Sequence, residues 1–205
     1  MVSASTVAAL YSLTATGLAV GLVVLLHFLE PEFEPSWRTL SEYSLGRYGV
    51  LMRAAFLAGG TGVIVVAVAL SESAWPWSLG LALVALGPLG AAFFDTDPIT
   101  TPRTEMSKRN NVHVAFGALF ILGFPAAATI AGIGAARDSD VGPLLAWASV
   151  VPWLGLAWFL GTSIWYGRST GTQGGGPEVR IGWPNRASMV IYLGWVSLAA
   201  VTMLR

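Results

Sequence analysis

The residues best suited to chemistry lie in three short polar segments between long apolar stretches. "EPSWRTLSEYSLGRYG", at 34–49, combines carboxylates, arginines, serines and tyrosines. "FFDTDPIT", at 93–100, adds two carboxylates, and "GWPNRAS", at 182–188, adds an arginine. His27 lies near the end of the first apolar stretch, and His113 lies near the start of a later one. We predict that these groups converge at one depth and form one polar site.

Metal-free acid–base catalysis on a lipid or isoprenoid-like substrate fits these residue types best. Glu42 or Asp97 would donate a proton and His113 would accept one, as in an isomerase, a cyclase or a hydrolase. The predicted catalytic residues are therefore Glu42, Asp97 and His113. The predicted substrate-binding residues are Arg38, Ser41, Tyr43, Asp95, Arg186 and His27. Tryptophan rings would stabilise a developing carbocation.

Two other interpretations of the same cluster stay open at this point, so the sequence does not decide whether the protein is an enzyme. Arg38 and Arg186 would hold an anionic headgroup in a non-catalytic lipid-binding, transport or membrane assembly protein. Alternatively, the charged residues serve only to fix the register of neighbouring helices.

Metal and serine-hydrolase chemistry are disfavoured. A catalytic zinc takes three protein ligands, mostly histidine, whereas the chain has two histidines and no cysteine. Ser41, His113 and Asp97 are the residue types of a serine hydrolase, but the G-x-S-x-G motif is missing. We therefore expect no metal and no cofactor.

The composition is that of a membrane protein. Of the 205 residues, 55% are hydrophobic and 11% are charged, against about 25% charged residues in soluble domains. The net charge is zero, which argues against a nucleic-acid partner. We expect a multi-pass protein of the cell membrane whose partners are membrane lipid and a hydrophobic small molecule; the sequence leaves the oligomeric state open.

Six apolar stretches are long enough, or nearly so, to cross a bilayer. They run at about 6–29, 50–70, 75–94, 112–135, 141–165 and 187–204. The first lacks the features of a cleaved signal peptide, so we expect it to be retained as a helix. The predicted fold is all-α: a polytopic membrane protein with six transmembrane helices in one bundle, forming a single domain over 1–205.

Six spans would place three long polar loops on one face, namely 30–49, 95–111 and 166–186. Most basic residues belong to this face, which the positive-inside rule makes cytoplasmic. Within the first loop we predict a short interfacial helix over 36–45, on which Arg38 and Glu42 lie four residues apart and form an ion pair. The alternative for this segment is a solvated loop.

The order of these motifs resembles a known family. "PSWRTLSEY..G.YG", then "FDTDP", then a histidine opening the next span and an arginine opening the last one, are similar to the bacterial and archaeal membrane family catalogued as domain of unknown function 998. The resemblance covers nearly the whole chain. It implies six helices and a shared polar site carried by Ser41, Glu42, Asp95, Asp97, His113 and Arg186, and it implies no particular reaction.

Overall fold

The computed structural model describes residues 3–138, 142–171 and 173–204. Val141, where the predicted fifth span began, lies outside the described residues. The described part of the chain contains no β-strand and forms seven α-helices: α1 Ala4–Leu29, α2 Gly49–Ala74, α3 Leu79–Ala91, α4 Lys108–Asp138, α5 Gly142–Ala148, α6 Val150–Thr170 and α7 Gly182–Thr202. Three short 3-10 helices occupy Leu40–Leu45, Arg103–Glu105 and Pro177–Val179.

Four stretches of the described helices are long and apolar enough to cross a membrane. They are Ala4–Leu29, Gly49–Ser71, Lys108–Arg137 and Gly142–Thr170, the last combining α5 and α6. Length and apolar composition are what a bilayer of about 30 Å demands of a helix. The protein is therefore an all-helical membrane protein.

The helices over three of the six predicted spans differ from the prediction, and α7, which covers the sixth, is not among the four membrane-crossing stretches. Helix α3 has 13 residues, about 20 Å at 1.5 Å per residue, which is too short to cross the bilayer unaided. The predicted fifth span is divided at Ser149, whose hydroxyl donates to the carbonyl of Ala128 at 3.1 Å and to that of Leu145 at 2.8 Å. The count of six crossing segments therefore stays a prediction.

Helix α7 lies in the middle of the bundle. It contacts α1, α2, α4, α5 and α6, and its buried residues include Tyr192, Trp195 and Val196. The Tyr192 hydroxyl donates to the carbonyl of Ile121 at 2.9 Å. Because protein rather than lipid surrounds much of α7, this helix tolerates polar residues that a lipid-facing helix would not.

Helices α3 and α4 approach each other closely, because a glycine of α3, Gly87, faces α4. A Cβ atom at Gly87 would lie 2.6 Å from the carbonyl oxygen of Phe116 and 2.6 Å from the Cβ of Phe120. No other residue type would leave this spacing unchanged. The contact holds the N-terminal half of α4, which carries His113, against the end of α3.

The short helix of the first loop begins later than predicted. It starts at Leu40 rather than Ser36, since the backbone N–H of Thr39 donates to the Glu42 carboxylate at 2.8 Å and closes the first turn. Further hydrogen bonds join the three connections to one another. Gly182 N–H donates to the Ser36 carbonyl at 3.2 Å, and Gly175 N–H donates to the Ile99 carbonyl at 2.7 Å.

Candidate functional site

The carboxylate of Glu42 is fully buried and fully used by its neighbours. Glu42 is 0% exposed, and its Oε1 accepts from Arg38 Nη1 at 2.6 Å and from the Ile99 N–H at 2.9 Å. Oε2 accepts from the Thr39 N–H at 2.8 Å. The predicted pair of Arg38 and Glu42 is thus present and buried, and it connects the short helix to the segment after α3.

Arg38 is committed to this pair as well. Its guanidinium lies 4.2 Å from the ring centre of Trp37, in a cation–π contact. Its backbone carbonyl accepts from Arg186 Nη1 at 2.5 Å. The charge of Arg38 is therefore paired directly with a carboxylate, whereas Arg186 forms no ion pair with any described residue.

Arg186 is a buried cation whose partners are all neutral. It is 5% exposed. Besides the Arg38 carbonyl, Nη1 donates to the carbonyls of Gly182 at 3.2 Å and Pro35 at 3.3 Å, and Nη2 donates to the Tyr43 hydroxyl at 3.4 Å. No carboxylate of the described residues lies within ion-pair distance of it. Nη2 also keeps a second N–H for which no acceptor is present among these residues.

His27 holds the remaining side of the guanidinium. Its Nδ1 lies 2.7 Å from the carbonyl of Val23, and its Nε2 lies 2.9 Å from Nε of Arg186. A carbonyl only accepts, so Nδ1 carries the proton and Nε2 is the acceptor for Arg186. His27 is therefore neutral in this arrangement and adds no negative charge to balance the arginine.

Arg186 and His27 lie at the polar end of a cavity of about 350 Å³. Its other walls are apolar residues of α1, α2, α3, α4, α7 and the short helix Leu40–Leu45. The lining includes exposed residues of α1 and α7, namely Val24, Phe28, Trp183 and Val190. The cavity, called here the α1/α7 chamber, thus reaches the lipid-facing surface between these two helices.

His113 lies in a different cavity. It is 4% exposed, and its Nδ1 lies 2.7 Å from the carbonyl of Phe94, so Nδ1 is protonated and Nε2 is an acceptor. His113 lines a cavity of about 310 Å³ together with Ser41, Thr96, Asn185 and, from α6, Phe159. We call this cavity the α4/α6 chamber.

A narrow cavity of about 40 Å³ lies between the two chambers. It shares Leu40, Phe56 and Met189 with the α1/α7 chamber, and it shares His113 and Asn185 with the α4/α6 chamber. The two chambers are thus neighbours inside the bundle, and the small cavity between them, called here the constriction, has less volume than a lipid chain.

The two aspartates predicted for the site fold the segment between α3 and α4. Asp97 accepts from the backbone N–H of Ser107 at 2.6 Å and from its hydroxyl at 3.0 Å. Asp95 forms ion pairs with Arg53 at 2.6 Å and with Arg109 at 3.4 Å near the protein surface. Neither aspartate lines the chambers described above.

The predicted site residues therefore divide into three groups. Arg186 and His27 line one chamber, and the Tyr43 hydroxyl accepts a hydrogen bond from Arg186 without lining that chamber. His113 and Ser41 line the other chamber. Glu42, Asp97, Arg38 and Asp95 form the hydrogen bonds and ion pairs that hold the polar segments together.

Sequence reasoning overlooked three buried polar residues. Asn185 accepts from the Leu40 N–H at 2.9 Å, and Asn110 accepts from the Thr96 hydroxyl at 3.0 Å. Glu30 is 1% exposed and accepts from the Tyr48 N–H. The usable signal was position, because Asn185 directly precedes Arg186 and Asn110 lies one turn before His113.

Comparison with known proteins identifies the family and no named relative. Searches of the curated proteins and of the solved structures each returned no match. The sequence model of the family described as Protein of unknown function (DUF998) matches residues 13–202. That match spans nearly the whole chain, including both chambers and every residue predicted for the site, and the chain therefore belongs to the DUF998 family.

Proposed function

We propose that this protein binds an anionic amphiphile from the membrane in the α1/α7 chamber. The acidic group of the ligand would pair with Arg186, and its hydrocarbon chain would fill the apolar part of the chamber. The observation that carries this proposal is the guanidinium of Arg186, which is 5% exposed and has only neutral partners.

The electrostatics of Arg186 favour an anion. A buried charge is strongly disfavoured unless it is paired, because its removal from water is not repaid by neutral dipoles alone. The unused N–H of Nη2 supplies a donor for the incoming acid, and guanidinium groups bind carboxylates and phosphates with short, charge-assisted hydrogen bonds. The ligand would complete a charge balance that the described residues leave open.

The shape and position of the chamber favour an amphiphile over a free anion. Apart from His27 and Arg186, its lining is apolar, and its exposed residues face the lipid side of α1 and α7. A water-soluble anion would leave these walls without contacts, whereas a hydrocarbon chain would bury them. The proposed topology has six crossing segments in the cell membrane, with α5 and α6 forming one of them, and it places Arg186 at headgroup depth.

The geometry favours binding over acid–base catalysis. In the described structure Glu42 is engaged by Arg38 and two backbone N–H groups, and Asp97 is engaged by Ser107. His113 lies in the other chamber. The three groups predicted to move protons thus do not face one common cavity, whereas Arg186 and His27 do.

The test uses the full-length protein in a nonionic detergent, with native mass spectrometry as the readout. We expect oleate and 1-oleoyl lysophosphatidic acid to bind, and oleyl alcohol and inorganic phosphate to bind at least tenfold more weakly. Arg186→Gln should abolish the preference for the acids. Arg168→Gln, which removes an exposed arginine near the end of α6, should retain it.

A second variant separates loss of binding from loss of folding. Val23→Phe fills the apolar part of the chamber while leaving Arg186 unchanged, so it should weaken both acids and leave the melting temperature near that of the wild type. Equal binding of oleate and oleyl alcohol by the wild type, or unchanged acid binding in Arg186→Gln, would refute the proposal. Tight binding of inorganic phosphate alone would identify a soluble anion as the ligand instead.

A further inference from the structure

The α4/α6 chamber is lined by polar side chains with atoms that no described residue hydrogen-bonds. His113 and Asn185 are 4% and 7% exposed. The Asn185 Oδ1 accepts from the Leu40 N–H at 2.9 Å, which fixes the orientation of the amide and identifies Nδ2 as the free donor. His113 Nδ1 is used by the Phe94 carbonyl. The carbonyl of Ala91 is a second backbone partner of the ring, and since both carbonyls only accept, the proton lies on Nδ1 and no described residue donates to Nε2.

The free donor and the free acceptor belong to the same cavity. Asn185 reaches it from α7 and His113 reaches it from α4, and both also line the constriction beside it. Ser41 lines it as well, and its hydroxyl makes no hydrogen bond to any residue that the structure describes. Buried polar groups are normally hydrogen-bonded, and those that are not indicate a missing partner.

The chemistry of the missing partner follows from the lining. No aspartate, glutamate, lysine or arginine lines this chamber, so a charged ligand would find no counter-charge there. A hydroxyl group both donates and accepts, and it would satisfy His113 Nε2 and Asn185 Nδ2 together. The rest of the lining includes Ile121, Leu122 and Phe159, which suit a hydrocarbon chain.

We infer that the α4/α6 chamber is a second binding site, whose ligand is a neutral, hydroxyl-bearing lipid such as a monoacylglycerol. His113 accepts from the ligand hydroxyl, and Asn185 donates to it. The site is distinct from the α1/α7 chamber, since the two chambers share no lining residue. Consecutive residues of α7 serve the two sites, Asn185 the neutral one and Arg186 the anionic one.

The probe for this inference is 1-monooleoylglycerol, and the variants keep every hydrogen bond that the fold uses. Asn185→Asp retains an acceptor for the Leu40 N–H and replaces the donor Nδ2 by an acceptor. His113→Asn retains a donor toward the Phe94 carbonyl and removes the acceptor Nε2. We expect each to raise the Kd for monooleoylglycerol about 5- to 10-fold, as the loss of a single hydrogen bond predicts.

Oleate binding serves as the control for folding and for site identity. If the two chambers are separate sites, both variants should bind oleate as the wild type does, and Arg186→Gln should bind monooleoylglycerol as the wild type does. Unchanged monooleoylglycerol binding in both variants would overturn the inference. A loss of monooleoylglycerol binding in Arg186→Gln would also overturn it, because the neutral lipid would then occupy the α1/α7 chamber.

Discussion

Two arginine–carboxylate pairs of equal length show how differently the two regions around them use charge. Arg38 and Glu42 in the first loop are 2.6 Å apart, and so are Arg53 and Asp95 beside the end of α3. The side chains of the first pair are 21% and 1% exposed, whereas those of the second are 47% and 29% exposed. The two pairs therefore differ in their exposure to solvent and not in their length.

The distance between the charged groups alone therefore does not predict how much an ion pair contributes to stability. An exposed pair is screened by water and contributes about 0–1 kcal/mol. Breaking a buried pair leaves an uncompensated charge in a poorly hydrated environment, which costs about 3–5 kcal/mol. The carboxylates of Glu42, Asp97 and Asp95 should therefore form a series of decreasing effect on stability, which the following substitutions test.

Glu42→Leu should have the largest effect. It orphans Arg38 and removes the acceptor of the Thr39 and Ile99 N–H groups, so the free energy of unfolding should fall by about 3–5 kcal/mol. Equilibrium unfolding in mixed micelles with increasing dodecyl sulfate measures this difference. Glu105→Leu is the matched control, since Glu105 is exposed, and its effect should stay within about 0.5 kcal/mol.

Adding Arg38→Met to Glu42→Leu should restore only part of the loss. The double variant no longer has an unpaired charge, but the N–H groups of Thr39 and Ile99 remain without their acceptor, at about 1–3 kcal/mol each if both are fully buried. Full recovery to wild-type stability would show that these backbone hydrogen bonds contribute little. Equal stability of all the variants would place Glu42 in a solvated loop.

Asp97→Ala should have an intermediate effect. The Asp97 carboxylate holds Ser107 by its backbone N–H and its hydroxyl just before α4 begins, and losing such an anchor costs about 1–2 kcal/mol. Asp97→Asn keeps one acceptor oxygen and should lose less than half of that. The same unfolding titration measures both, and a larger loss for the asparagine variant would contradict this role.

Asp95→Asn should have the smallest effect, below about 1 kcal/mol. Its partners Arg53 and Arg109 are 47% and 64% exposed, so water replaces the carboxylate when it is neutralised. The difference between wild type and variant should shrink further in 1 M sodium chloride, where the Debye length is about 3 Å. A loss of unfolding free energy as large as that of Glu42→Leu would contradict the proposed difference between the buried and the exposed ion pair.

The class of fold was predictable because membrane helices obey a simple length and hydropathy rule. The four long apolar helices appear where the sequence indicates them, and the family match over 13–202 confirms the resemblance. The short length of α3 and the break at Ser149 were not predictable. Apolar residues continue past the C-terminal end of α3 and lie on both sides of Ser149. Composition gives little indication of a turn whose side chains are apolar. At this break the Ser149 hydroxyl donates to the carbonyl of Ala128, a residue distant in the sequence.

The sequence indicates which residues belong to the polar site more readily than it indicates the role of each one. Polar residues in an apolar chain were visible, and the spacing of Arg38 and Glu42 correctly predicted their ion pair. Which charge stays unbalanced depends on packing between α1, the first loop and α7, which no local pattern encodes. Asn185 shows the limit most clearly: its amide faces one chamber while the next side chain, Arg186, faces the other.

The shortness of α3 has a consequence for the surrounding bilayer. Leu79, Leu83 and Leu86 of this helix are exposed and lie on one face, so lipid contacts it directly. In the proposed topology of six crossing segments, α3 would set a hydrophobic length of about 20 Å against a hydrocarbon thickness of about 30 Å, a mismatch that thinning of the membrane would relieve. In that topology, acyl chains beside α3 should tilt, bend or be shorter than those beside α1, so we expect an uneven bilayer thickness around the protein.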